Sequence, residues 1–206
     1  MEVKAVFFDF DGILTFDHAA EESTCNAISQ IFSIPEEKVS EAYGKSGNHE
    51  LYAGSKSIGQ FWKEFYTNLG LPFPFVIFQE ARQDIYGLTP MDPEMIDLVK
   101  QIQRKGLVTG IITNNNSERV EYLLEKYNLL DLFNPVVISG DSMKTKSDHT
   151  LFFDAFPDTK AAVFIDNQQK NCDSAEKAGM HAIYFDDKIR DYVKLKKELA
   201  LFGISI

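Results

Sequence analysis

Short, continuously apolar runs alternate with amphipathic stretches along most of this chain. Residues 3–8, 107–113, 136–139, 161–166 and 181–185 read as strands, and the apolar run 107–113 reads as a buried one. Between them, residues 93–105, the stretch from Ser117 to Tyr127, 169–178 and 188–201 carry helical spacing. Pro93 opens the first of these, and Gly106 and Gly179 close two of them. Strand, helix and strand in repeated order predict an α/β fold: a mostly parallel sheet with helices on both faces. Such sheets bind ligands beyond the carboxyl ends of their strands.

Residues 16–87 break this rhythm. Residues 19–32, 35–43 and 57–69 look helical, the last through Phe61, Trp62, Phe65 and Leu69. The stretch 44–57 holds three glycines and reads as loop or short turns. Pro72 and Pro74 interrupt the chain before a last helix over 79–86. An insertion of helices after the first strand would sit over the ligand end as a cap.

The strand ends carry the candidate chemistry. The first run ends in Asp9-Phe10-Asp11-Gly12, two carboxylates that project the same way from extended backbone. At about 4 Å and an effective dielectric near 20, two such charges repel by roughly 4 kcal/mol, so a cation or a shared proton must compensate. The second run ends in Thr113-Asn114 and the fourth in Asp166-Asn167. The loop after the third run carries Lys144 and Lys146, either of which could be the cation that the site needs.

Length and charge narrow the classes. The 206 residues suit one sizeable domain or a domain with a modest insertion. A net charge of −10 makes a nucleic-acid partner unexpected, and no apolar run reaches the length that spans a bilayer. Cys25 and Cys172 form no metal-ligand pattern. With no basic, apolar leader at the start, a cytoplasmic protein with free thiols is expected.

Together these segments resemble the haloacid dehalogenase superfamily of phosphotransferases, over essentially the whole chain. Asp9-Phe10-Asp11-Gly12 is similar to its first motif and Thr113-Asn114 to its second. Lys146-Ser147-Asp148-His149 with Phe152 is similar to its lysine motif, and Phe164-Ile165-Asp166-Asn167 through Asn171 to its acidic fourth motif. The resemblance implies a Rossmann-like core over residues 1–15 and 88–206 and a small helical cap over 16–87. It implies a magnesium-dependent phosphatase that hydrolyses a small phosphorylated metabolite, with a sugar phosphate as first guess, as a monomer or dimer.

In that reading Asp9 is the nucleophile, forming an aspartyl-phosphate, and Asp11 is the acid and base. Thr113, Asn114 and Lys146 hold the phosphoryl oxygens. Mg2+ is held by Asp9, the Asp11 carbonyl, Asp166 and Asn167. Three departures from the motifs stand out. Ile13 stands where a threonine is common, the lysine motif lacks its usual prolines, and Asn167 replaces a second acidic residue. The alternatives are a phosphomutase, such as a β-phosphoglucomutase-like enzyme, and a degenerate relative that only binds. A true dehalogenase is disfavoured by the presence of Asp11. Phe61, Trp62 and Phe65 are expected to pack the cap, and His49, Lys45 and Lys56 to face solvent. Asp186-Asp187 is expected to be a solvated acidic run.

Overall fold

The structure, a computed structural model, describes residues 2–17, 20–72 and 78–206. Pro74, which interrupts the chain before the last cap helix, lies outside the described residues. In chain order the elements are β1 (Ala5–Phe8), α1 (Ala20–Phe32), α2 (Glu36–Lys45), α3 (Asn48–Tyr52), α4 (Ile58–Asn68), α5 (Phe78–Tyr86) and α6 (Pro93–Arg104). There follow β2 (Val108–Thr113), α7 (Ser117–Lys126), β3 (Val136–Ile138), α8 (Ser139–Ser142), α9 (Leu151–Ala155), β4 (Ala162–Asp166), α10 (Gln169–Lys177), β5 (His181–Tyr184) and α11 (Tyr192–Leu201).

The five strands form one sheet in the order β3-β2-β1-β4-β5, and every pairing is parallel. Side chains of β1 divide between two cores. Val6 and Phe8 join Ile111, Val163, Met95, Val99 and Leu195 on one face, whereas Ala5 and Phe7 join Ile112, Phe164, Leu151 and Ala175 on the other. Burial on both faces is the reason β1 and β4 show no polar alternation, whereas the edge strand β5 leaves Tyr184 exposed. Phe8 pairs with both Ile111 and Ile165, so the residues after Phe8 and Ile165, Asp9 and Asp166, leave the sheet side by side.

The cap helices build a core of their own from Cys25, Ile28, Val39, Tyr43, Phe61, Trp62 and Phe65, among others. Tyr43 meets Phe61 edge to face at 4.8 Å between ring centres, and Phe65 meets Trp62 at 5.2 Å. These rings are packing, as their helical spacing predicts. Ser57 caps α4 through a reciprocal pair with Gln60. Two expectations need correction. Residues 44–57 contain the short helix α3, whose five residues are too few to show a period. The last helix begins at Tyr192 rather than Lys188, because Arg190 turns the chain at φ +51° and Asp191 provides the N-cap. Among the described residues no helix is long and apolar enough to cross a membrane.

Candidate active site

Asp9 leaves β1 at the centre of the sheet, where its Oδ1 accepts from the Phe10 N–H at 2.7 Å. Lys146 Nζ lies 2.8 Å from Asp9 Oδ2 and 2.6 Å from Asp166 Oδ2, with all three side chains buried. Asp166 Oδ1 also accepts from the Gln168 N–H at 2.7 Å, and Asn171 Nδ2 reaches its two oxygens at 3.0 and 3.1 Å. Asp166 thereby helps to hold the lysine in place. When ionised, the three groups sum to one negative charge away from water. Burial pushes the Asp9 carboxyl up to about 7, against the pull of Lys146 and with a further push from Asp166. Burial alone would lower the Lys146 ammonium, but Asp166 and Asp9 outweigh it and hold it above its ordinary value.

Between the two candidate lysines the geometry discriminates. Lys144 Nζ pairs with Asp154 on the surface at 2.7 Å, while Lys146 enters the site. Asn114 Oδ1 accepts from the Lys146 backbone N–H at 2.8 Å, so its side chain holds the lysine loop in place. Thr113 is buried at the end of β2.

Asp11 is bonded on both oxygens. Arg119 Nη1 donates to Oδ2 at 3.0 Å and Arg119 Nη2 lies 2.9 Å from Oδ1, a forked pair, while Asn115 Nδ2 donates to Oδ2 at 2.7 Å. Both carboxyl oxygens are thus held by donors from other segments, which fixes where the Asp11 side chain lies. Arg119 also touches both linkers to the cap, donating to Thr89 Oγ1 at 3.3 Å and lying 3.7 Å from Asp17. Beside those linkers a cleft of about 390 Å³ is lined by Phe16, Asp17, Asn26, Gln30, Leu88 and Thr89; none of Asp9, Asp11, Lys146 or Asp166 lines it.

Gly12 makes the turn after Asp11 at φ +78°, a conformation that side chains resist. A Cβ built there would lie 2.2 Å from Asn167 Nδ2 and 2.8 Å from Asp187 Oδ2. Gly12→Ala should therefore cost about 1–2 kcal/mol in backbone strain alone and displace Asn167. Thermal melting would show the loss; an unchanged melting temperature would mean that the turn tolerates a side chain.

Residues 3–192 match the model of a family described as hydrolase, haloacid dehalogenase-like hydrolase. The chain belongs to the haloacid dehalogenase-like hydrolases. No curated protein matches its sequence significantly. Among solved structures, a HAD family enzyme from Bacteroides thetaiotaomicron superposes with a TM-score of 0.73 at 18% identity, over 95% of this chain and 98% of that one. The same enzyme is known in a complex with magnesium and inorganic phosphate. A HAD-like family hydrolase from Porphyromonas gingivalis gives 0.73 at 20% identity, over 97% and 98%. The L-2-haloacid dehalogenase of Xanthobacter autotrophicus, with chloropropionic acid covalently bound, gives 0.65 at 16%, over 99% and 85%. At these identities the likeness concerns the fold.

Two residues of this dehalogenase-like site escape a reading by sequence motif. Arg119 stands with Val120, Leu123 and Leu124 on the buried face of α7. A charge on an apolar stripe is the signal that could have found it. Asp187, expected in solvent, instead accepts from Asn167 Nδ2 at 2.7 Å.

Proposed function

We propose that the protein is a magnesium-dependent phosphatase acting on a small phosphorylated metabolite through an aspartyl-phosphate on Asp9. The observation that carries this reading is the Lys146 ammonium held between Asp9 and Asp166 where β1 and β4 end. A buried cluster with a residual negative charge favours a hard divalent cation. The oxygens suited to hold one are the Asp9 carboxylate, the Asp11 backbone carbonyl, the Asp166 carboxylate and Asn167 Oδ1, the last a buried atom with no hydrogen-bond partner in the structure. No three His, Cys, Asp or Glu side chains gather as a ligand group among the described residues, so backbone and amide oxygens must complete the set. A bound Mg2+ would neutralise phosphoryl oxygens.

Asp9 attacks phosphorus, and the bond to the leaving oxygen breaks as Asp11 supplies its proton. Asp11, ionised again, takes a proton from water; the water oxygen attacks phosphorus, phosphate departs and the Asp9 carboxylate is restored. Lys146 offsets charge on the phosphoryl oxygens, and Thr113 with the Asn114 amide orients them. A sugar phosphate is the first substrate class to try, since the cap limits substrate size. The unpaired, buried thiols accord with a cytoplasmic setting.

The expected result is p-nitrophenyl phosphate hydrolysis that EDTA abolishes and Mg2+ restores. A panel of phosphorylated sugars, nucleotides and amino acids, followed for free phosphate and for isomer, would identify the acceptor. Isomer without phosphate release would make the protein a phosphomutase. No turnover at saturating Mg2+ would overturn the phosphatase reading.

A further inference from the structure

Asn167 carries an amide where the neighbouring chemistry calls for charge, and its two ends are treated differently. Its Nδ2 donates to Asp187 Oδ2 at 2.7 Å, while its Oδ1 is buried and accepts no hydrogen bond. A carboxylate only accepts at neutral pH, so the end of the amide that meets Asp187 must be the NH2. Asp187 thereby fixes which way Oδ1 faces. The side chain lies against Gly12, whose preceding peptide unit carries the Asp11 carbonyl.

The loop that presents Asp187 is firmly held. Arg190 Nη1 donates to the Gly12 carbonyl at 3.0 Å and to the Asp187 carbonyl at 3.4 Å, and Nη2 donates to the Ile13 carbonyl at 2.9 Å. Its Nε donates to Asp92 Oδ2 at 2.8 Å, and Asp92 caps α6 and also accepts from the Tyr192 hydroxyl. One guanidinium thus locks the Asp187 loop to the turn that follows Asp11.

We infer that Asp187 is a positioning residue for the divalent cation: it turns Asn167 Oδ1 toward the metal and supplies, one bond further out, the negative charge that Asn167 lacks. The inference rests on the magnesium site proposed above. Asn167 and Asp187 together carry one negative charge, the same as an aspartate at 167 beside an asparagine at 187. Two carboxylates at this separation would repel, so the amide and the acid are complementary. Partners of metal ligands typically change affinity by about 10–100-fold.

The test is Mg2+ binding to the metal-free protein by titration calorimetry, with melting curves in EDTA to confirm folding. Asp187→Asn should weaken binding by roughly tenfold or more, and Asp187→Ser should do the same if the first variant folds poorly. The exchanged pair Asn167→Asp with Asp187→Asn should recover affinity to within about threefold of wild type, because the charge returns to the pair. Wild-type affinity in Asp187→Asn, or an exchanged pair as weak as that single variant, would overturn the inference. So would a wild type with no measurable Mg2+ binding. Hydrolysis decides the earlier reading separately: a protein that binds Mg2+ through Asp187 and cleaves no phosphate ester keeps this inference and loses the phosphatase.

Discussion

Asp9→Asn is expected to abolish turnover while leaving the fold as stable as before or firmer. An amide cannot attack phosphorus, and removal of a nucleophile costs roughly 10⁴-fold or more in kcat. Stability moves the other way for an electrostatic reason. Burial raises the Asp9 carboxyl to about 7, so the folded protein binds that proton more tightly than the unfolded chain does. The charge on Asp9 therefore costs stability. That cost is absent below about pH 4, grows between about pH 4 and 7, and is complete above. Asparagine removes it, and Lys146 keeps Asp166 as its partner at 2.6 Å. In metal-free buffer near pH 8 the variant should melt at or above the wild-type temperature, with the advantage shrinking toward pH 4. Retained hydrolysis would remove Asp9 from the nucleophile's role. A fall of several degrees would mean that its main task is to hold Lys146.

The core was legible because its physics is local. Buried parallel strands need continuous apolar runs, and Phe7 and Phe8 satisfy both faces of β1 at once. Helix ends were legible where capping residues mark them, as Pro93 and Gly106 do for α6. Legibility failed where an element is too short for its period to recur, as in the five residues of α3. It failed again where the sequence offers two acids that can begin a turn. Asp186 accepts from the Lys188 and Ile189 N–H groups and mimics a cap, yet the helix waits for Asp191.

The site divides in the same way. Asp9, Asp11, Thr113 and Asp166 stand in order at or just after strand ends, so topology assembles them, and the loop after α8 adds Lys146. Partner choice is a tertiary matter. Composition leaves Lys144 and Lys146 as competitors, and the fold separates them: Lys144 pairs with Asp154 at the surface, while Lys146 reaches Asp9 and Asp166. Asp187 looks like half of a solvated pair until β5 brings its loop beside Asn167. Asp11 and Asp166 are each paired with a cation from another segment, Arg119 and Lys146. The charge left near Asp9 is consequently smaller than the count of carboxylates suggests.

Arg119→Met should be the most destabilising change near the site. The guanidinium is 1% exposed and forks onto Asp11 at 2.9 and 3.0 Å, so its removal leaves a buried carboxylate with Asn115 as its nearest remaining donor. Breaking one side of a buried pair costs about 3–5 kcal/mol, which for a chain of this length lowers the melting temperature by about 10 °C. Neutralising both partners behaves differently: the double variant Arg119→Met with Asp11→Asn should regain most of that loss, because no charge is stranded. Activity should not follow stability. With Asp11 no longer held in place by the guanidinium fork, kcat of the single variant should fall about 10²-fold with KM nearly unchanged, and the double variant should be at least as slow. Arg119→Lys, which keeps the charge and loses the fork, should lie between wild type and Arg119→Met in both measurements. If the double variant recovered turnover along with its melting temperature, Asp11 would have no part in moving protons, and Arg119 would serve the fold alone.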